Sequence, residues 1–318
     1  MFARVVCSAA LMLAVGSPTT FAQSRSASEA LIGRWNLVVQ RGAQQTAPSW
    51  LEVERSGSAT LVGRFVGSGG SARPIAKIEF TDGTFRFAIP PQWDSNPRDI
   101  TFEGRLDGER ITGSMTMGDG QAVTWSGTRA PSLRRSEKPD WGAPVTLFNG
   151  TSLEGWQPIG RRDNQWSAVG GILKNAESGA NLVSSQKFDD FKLHLEFRVP
   201  QGANSGVYLR GRYELQVDDA AGREPSSHHL GGLYGFIAPS ENVARPAGEW
   251  QTMDITLVGR MLTYVLNGVT VICNQEIPGI TGGALDNAEG EPGPLLLQGD
   301  HGPVEYRNIV VTPATNAR

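Results

Sequence analysis

The stretch TYVLNGVTVIC, residues 263–273, decides the fold class. Tyr264 and Leu266 alternate with Thr263 and Val265, then Asn267-Gly268 interrupts, and Val269 to Cys273 resumes a β-branched run. Asn-Gly between two such runs is the signature of a two-residue hairpin, because both central positions need positive φ. The same grammar recurs outward along the chain. Short alternating strands are separated by Gly, Pro, Asn and Asp, and no helical periodicity lasts beyond one or two turns. The prediction is an all-β protein.

A chain of 318 residues exceeds one ordinary core, which predicts two domains. The first runs from 28 to about 130. It contains LIGRWNLVVQ, SWLEVERS, TLVGRFVG, IAKIEFTDGTFRFAI, ITFEGRLDGERITGSMTM and AVTWSGTRA, with Asp82-Gly83 and Asp107-Gly108 placed as hairpin turns. Sequential hairpins predict a small antiparallel barrel or sandwich. Gly33-Arg34-Trp35 resembles the G-x-W opening of lipocalin-like barrels. No catalytic constellation is visible there: the block has no histidine, and Asp94, Asp99 and Glu103 are scattered. Residues 131–143, APSLRRSEKPDWG, are charged and proline-bearing and are expected to be a linker. Residues 144–313 carry longer alternating strands, among them FKLHLEFRV, SGVYLRG, YELQVDD and VEYRNIVV, and predict a two-sheet jelly-roll sandwich.

The first 22 residues read as a signal peptide, with Arg4, an apolar run from Val5 to Val15, and Thr20-Phe21-Ala22 as the cleavage site. That run is too short to span a bilayer. Export to the periplasm or beyond is therefore expected, with no membrane span. Cys7 sits at the front of the apolar run, not after it, which argues against a lipid anchor. Cleavage leaves Cys273, expected to pack as a small apolar residue, and no internal disulfide. Net charge is −3 and Lys and Arg do not cluster, so a nucleic-acid partner is not expected.

The residues of the second block allow several chemistries. On a strand, Glu214, Gln216 and Asp218 share one face and Tyr213, Leu215, Val217 and Asp219 the other. This fits either an ordinary polar outer face or the floor of a site. Retaining glycanases on such folds place two glutamates on one strand about 5 Å apart. Here Gln216 stands in the middle and no glutamate follows. In SGVYLRG, Tyr208 and Arg210 share a face, so Arg210 could join Glu214 as an ion pair or as a sugar contact. Downstream, LQGDHGPVEYRNIVV (297–311) sets Asp300 and His301 on a glycine-flanked turn at a sheet rim. No H-x-H or H-E-x-x-H spacing marks a metal site. His194, flanked by leucines, and Arg307 are expected to be surface or structural. Trp156 and Trp166 are expected in packing roles, and Tyr234 and Trp250 as stacking platforms for sugar rings.

Five ordered stretches of the second block resemble the 3-keto-disaccharide hydrolase family. They are VTLFNGTSLEGWQ (145–157), QWSAVGGILKN (165–175), FDDFKLHLEFRVPQGANSGVYLRGRYELQVDD (188–219), SHHLGGLYGFIAPSENVARPAGEWQTMDITLVGRMLTYVLNG (227–268) and GPLLLQGDHGPVEYRNIVV (293–311). The resemblance implies a concanavalin-like jelly roll acting on glycosides whose C3 hydroxyl has become a ketone. It covers Glu214, Gln216, Asp219, His228 and the whole Gly299–Gly302 turn, and leaves Asp218 and His229 without a role. A ketone at C3 acidifies the C2 hydrogen, so a base, an acid and stabilisation of the enolate can break the C1 bond by elimination. His301 is expected as general base or acid and Glu214 as its counterpart, with Asp219, His228 and Arg210 as further catalytic candidates. Gln216, Tyr234, Trp250, Gln298 and Asp300 are expected to bind substrate. No organic cofactor is implied; a divalent metal ion could stabilise the enolate. Two other readings stay open: a carbohydrate-binding module without chemistry, and a conventional glycan hydrolase.

Overall fold

The computed structural model describes residues 28–42, 44–91 and 98–316. The proposed signal peptide, Cys7 and Asp94 lie outside the described residues. Eight strands come first: β1 (Gly33–Gln40), β2 (Thr46–Ser56), β3 (Thr60–Val66), β4 (Arg73–Thr81), β5 (Thr84–Ile89), β6 (Ile100–Asp107), β7 (Arg110–Thr116) and β8 (Ala122–Arg129). Each pairs antiparallel with the next, and β8 returns to β1 through Trp35↔Arg129 and Val39↔Trp125, closing an up-and-down barrel. Closure removes the sheet edges. In β5 the alternation is strict: Phe85, Phe87 and Ile89 are buried and Arg86 and Ala88 exposed. The β4–β5 turn has φ of 50° at Asp82 and 77° at Gly83, as the Asp-Gly pair predicts. Trp35 of the G-x-W triplet is fully buried, donates to the Leu31 carbonyl at 2.9 Å, and is capped by the Arg129 guanidinium 3.8 Å from its ring centre.

Thirteen strands follow: β9 (Val145–Thr146), β10 (Trp156–Ile159), β11 (Trp166–Val169), β12 (Ile172–Asn175), β13 (Asn181–Phe188), β14 (Phe191–Arg198), β15 (Asn204–Leu209), β16 (Tyr213–Asp218), β17 (Gln251–Val258), β18 (Met261–Leu266), β19 (Val269–Glu276), β20 (Gly293–Leu297) and β21 (Val304–Pro313). They form a five-stranded sheet ordered β10-β13-β20-β15-β16. A second sheet is ordered β11-β12-β21-β14-β17-β18-β19, with β9 added on β21. Leu182, Val207, Leu215 and Val217 of the first sheet share one core with Leu195, Phe197, Ile255 and Tyr264 of the second. The chain is thus a barrel followed by a jelly-roll sandwich.

One expectation needs correction. Cys273 is exposed, not packed. The register between β18 and β19 shifts beside Tyr264, Val271 and Ile272 are consecutively buried, and Cys273 is turned outward. The segment 131–143 joins the barrel to the sandwich and is packed against the latter. Leu133 is buried, and Arg135 binds Asp190 at 2.6 Å and Asp189 at 2.9 Å on the sandwich.

Barrel and sandwich are packed together. Asn36 donates to the Asn287 carbonyl at 2.8 Å, and Asn287 donates back to the Leu37 carbonyl at 2.7 Å. Trp50 of the barrel meets Phe236 edge-on at 5.5 Å and belongs to the sandwich core. Between β3 and β4, the Ser68 carbonyl accepts from the Gly283 amide at 3.1 Å. A side chain at Gly282 would meet the Gly70 carbonyl at 2.1 Å, so only glycine admits this approach.

Candidate active site

Strand β16 ends its sheet, yet all six of its residues are buried. Its outer edge is covered by the segment after Ser227: Gln216 donates its amide to the Gly232 carbonyl at 3.0 Å, and Tyr234 donates its amide to the Glu214 carbonyl at 2.9 Å. The histidine-rich loop therefore protects an edge and brings Tyr234 to the strand. On the other side, antiparallel pairing sets Tyr208 opposite Glu214, Gly206 opposite Gln216 and Asn204 opposite Asp218. A methyl on Gly206 would lie 2.5 Å from the Glu214 carboxyl, so the glycine makes room for it.

The face so formed opens into a cleft of about 240 Å³. Glu214, Gln216, Tyr208, Asn204, Tyr234, Gln298, Asp300 and His301 line it from the sandwich, and Ser68 to Gly70 from the barrel. The cleft thus brings together Glu214, Gln216, Tyr234, Gln298, Asp300 and His301. Gln216 donates to Asn204 at 2.9 Å. The Gln298 side-chain oxygen is buried without a partner among the described residues, an acceptor suited to a ligand hydroxyl.

His301 is held by its neighbour. Its Nδ1 lies 2.7 Å from the Asp300 carboxylate, which fixes Nδ1–H as donor and leaves Nε2 to the cleft. The turn beneath them is pinned from afar. Asn181 accepts from the amides of Gly299 (2.8 Å) and Asp300 (3.2 Å). The fully buried Asn175 donates to the carbonyls of Gly299 (2.9 Å) and Gly302 (2.8 Å). The Asp300 carbonyl accepts from Ser178 at 2.6 Å.

The electrostatics divide the two central groups. Burial pushes the Glu214 carboxyl up to about 8, opposed by the Tyr208 hydroxyl and the charge of His301. Hydrogen bonding to Asp300 raises His301 above its ordinary value, and the same bond lowers Asp300. Burial thus favours the neutral form of Glu214 and the Asp300 bond favours the protonated form of His301, so the cleft sets two proton-exchanging groups together.

Four expected participants lie elsewhere. Arg210 takes φ of 53°, so its side chain leaves the strand's alternation. It is fully buried, 3.2 Å from Asp189 and donating to the Gly259 carbonyl at 2.7 Å. Asp219 closes a turn, accepting from the Gly202 amide at 3.2 Å. His228 is exposed and reaches the cleft only through Tyr234, whose ring it meets edge-on at 5.3 Å. Trp250 lies against Arg307 (4.0 Å) and Arg198 (4.7 Å) of the other sheet. Asp218 and His229, given no role, pair at 2.8 Å and anchor the loop. Arg307 is structural as expected, bound to Glu196 at 2.6 Å. Trp156 and Trp166 are core residues donating to the carbonyls of Leu147 and Ala180, each at 2.8 Å. Sequence reasoning missed Tyr208, Asn204, Asn175, Asn181 and the Ser68–Gly70 loop. Tyr208 was recoverable from its alternation with Val207 and Leu209; the others had no local signal.

The donor set does not fit a protein-held divalent ion. Among the described residues, no three His, Cys, Asp or Glu side chains converge as ligands.

A jelly-roll sandwich with a polar cleft on one sheet defines the class. The chain belongs to the 3-keto-alpha-glucoside-1,2-lyase-like domain family, whose signature matches residues 143–312. It is 23% identical over 184 residues to a 3-keto-disaccharide hydrolase of Bacteroides thetaiotaomicron, covering 44% of this chain and 63% of that one. Among solved structures, a proposed glycosyl hydrolase of Parabacteroides distasonis is 26% identical, covers 54% of this chain and 83% of its own, and has a TM-score of 0.45. A carbohydrate-binding module of Bacillus subtilis is 13% identical over 52% of this chain and 97% of its own, with a TM-score of 0.36.

Proposed function

We propose that this protein is a carbohydrate-active enzyme that cleaves 3-keto-glycosides by elimination followed by hydration. The observation that carries the reading is the buried Glu214, its carboxyl pushed up by burial, sharing one cleft with the Asp300–His301 pair. The His301 Nε2 takes the C2 hydrogen as a proton, and its electron pair delocalises into the C3 carbonyl. The C1–O bond then breaks as the C1=C2 bond forms. The departing oxygen keeps the bonding pair and takes the proton of Glu214. Water adds in the reverse sense: the Glu214 carboxylate removes its proton as hydroxyl reaches C1, and the His301 imidazolium returns a proton to C2. Both residues end as they began, and the net change is hydrolysis. The uncommitted Gln298 oxygen and the Asn204–Gln216 pair are placed to hold hydroxyls.

A two-carboxylate mechanism fits less well, because Gln216 replaces the second strand acid and Asp300 is engaged by His301. The leader pattern of residues 1–22 supports export to the periplasm or beyond. Among the described residues no helix is long and apolar enough to cross a membrane.

The test is turnover of a 3-keto-glucoside beside its unoxidised parent, for wild type and His301→Ala. Cleavage of the keto form alone, falling by about 10²- to 10⁴-fold in the variant, is expected. Equal cleavage of both sugars would point to an ordinary glycosidase. Binding of either without turnover would point to a carbohydrate-binding module.

A further inference from the structure

The barrel has a cavity of its own, about 200 Å³, at the end that faces the cleft loop. Val39, Phe65, Ile100 and Met115, all buried, form apolar walls, with the half-buried Met117 at the rim. Arg41 and Arg73 bring two guanidinium groups to the same lining. Eight strands enclose an interior just wide enough to be filled by side chains or to hold one small ligand. Here the large rings of Trp35, Phe85 and Trp125 pack the interior away from this lining.

Ser68 and Gly69 line both this cavity and the polar cleft. The loop that divides them is fixed from both sides. Arg41 donates to the Ser68 hydroxyl, and the Gly283 amide to the Ser68 carbonyl. The cleft beyond is lined by Glu, Gln, Asn and Asp and suits a hydroxyl-rich ring. The cavity on the near side is apolar and has two cations, which suits a compact aromatic group carrying an oxygen.

We propose that the barrel cavity is the leaving-group subsite of the sandwich's cleft, and that the favoured substrates are 3-keto-glycosides of aryl alcohols. This inference rests on the elimination reading above. The sugar lies in the cleft and the aryl group crosses the Ser68–Gly69 rim into the barrel. The phenolic oxygen, on taking up the bonding pair, then forms between Glu214 and the Arg41 guanidinium. Barrel and sandwich together make one site, and neither holds the whole substrate.

Two readouts on the full chain test this. In the first, free 4-methylumbelliferone is titrated by its fluorescence into wild type, Met117→Trp and Arg41→Ala. In the second, kcat/KM is compared for the 4-methylumbelliferyl and methyl 3-keto-glucosides. Wild type is expected to bind the free phenol saturably, and Met117→Trp, which fills the rim, to abolish that binding. The aryl-to-methyl ratio is expected to fall about tenfold or more in Met117→Trp and to fall also in Arg41→Ala, whose exposed position spares folding. Absence of saturable phenol binding, or binding equal in wild type and both variants, overturns the proposal. Phenol binding lost in the variant while the ratio stays constant also overturns it, since the cavity would then serve another ligand. If neither glycoside turns over, the elimination reading fails, and the phenol titration still decides whether the barrel takes an aryl group.

Discussion

Two glutamates of the sandwich are almost equally hidden from water and are used in opposite ways. Glu289 is fully buried and Glu214 is 4% exposed. Glu289 receives the Arg260 guanidinium at 2.7 and 3.1 Å and the Tyr213 hydroxyl at 2.8 Å. Glu214 has the Tyr208 hydroxyl and the charge of His301 beside it, and no guanidinium. The two sites are served by consecutive residues of one strand, Tyr213 and Glu214, which point to opposite faces. Burial alone therefore does not make a reactive group. A carboxylate given its counter-charge becomes part of the scaffold. One with only a hydroxyl and the His301 charge set against its burial is pushed up to about 8.

The contrast can be tested from its largest effect downward. Glu214→Gln keeps size and hydrogen bonding but cannot donate a proton as an acid does. Steady-state kinetics on a 3-keto-glucoside should show kcat/KM lower by about 10²- to 10⁴-fold. Glu289→Ala should leave the Arg260 charge buried and uncompensated, costing roughly 3–5 kcal/mol in denaturant unfolding. Loss of less than about 1 kcal/mol would remove the distinction between the two glutamates.

The pH dependence of stability separates them further. Folding raises the Glu214 carboxyl from its ordinary 4.5 to about 8. Its contribution is therefore most favourable below pH 4.5 and is lost progressively as pH rises to about 8. Glu214→Gln should abolish that slope and be more stable than wild type, by on the order of 3 kcal/mol at neutral pH. A variant that is less active yet more stable marks a residue kept for chemistry. The smallest effect is a shift of a rate profile. Activity needs His301 deprotonated and Glu214 protonated, so the alkaline limb should fall near pH 8 and the acid limb above 6.5. Asp300→Asn removes the carboxylate charge that helps raise His301, and the acid limb should move to lower pH.

Much of this was legible in the sequence wherever the information is local. The Asp82-Gly83 and Asn267-Gly268 turns specify their own geometry, and both pairs take positive φ. The alternation of YELQVDD set Glu214 and Gln216 on the cleft face, and Gly299 to Gly302 announced the turn bearing Asp300 and His301. What was hidden is non-local or breaks a period. Arg210 shares the alternation of Tyr208 on paper, but a left-handed backbone at that residue sends it to Asp189. Trp250 looked like a sugar platform and is occupied by Arg198 and Arg307 from two other strands. The asparagines that hold the Asp300–His301 turn lie more than a hundred residues upstream of it. The barrel loop at Ser68 lies farther still, and only the packing of one half on the other brings it to the site.

The central claim is that bond cleavage begins with removal of the C2 hydrogen. The most direct measurement compares turnover of a 3-keto-glucoside with that of the same compound carrying deuterium at C2. The account predicts slower turnover of the deuterated substrate and exchange of the C2 position with solvent in the product. Equal rates, with deuterium fully retained at C2, would contradict it.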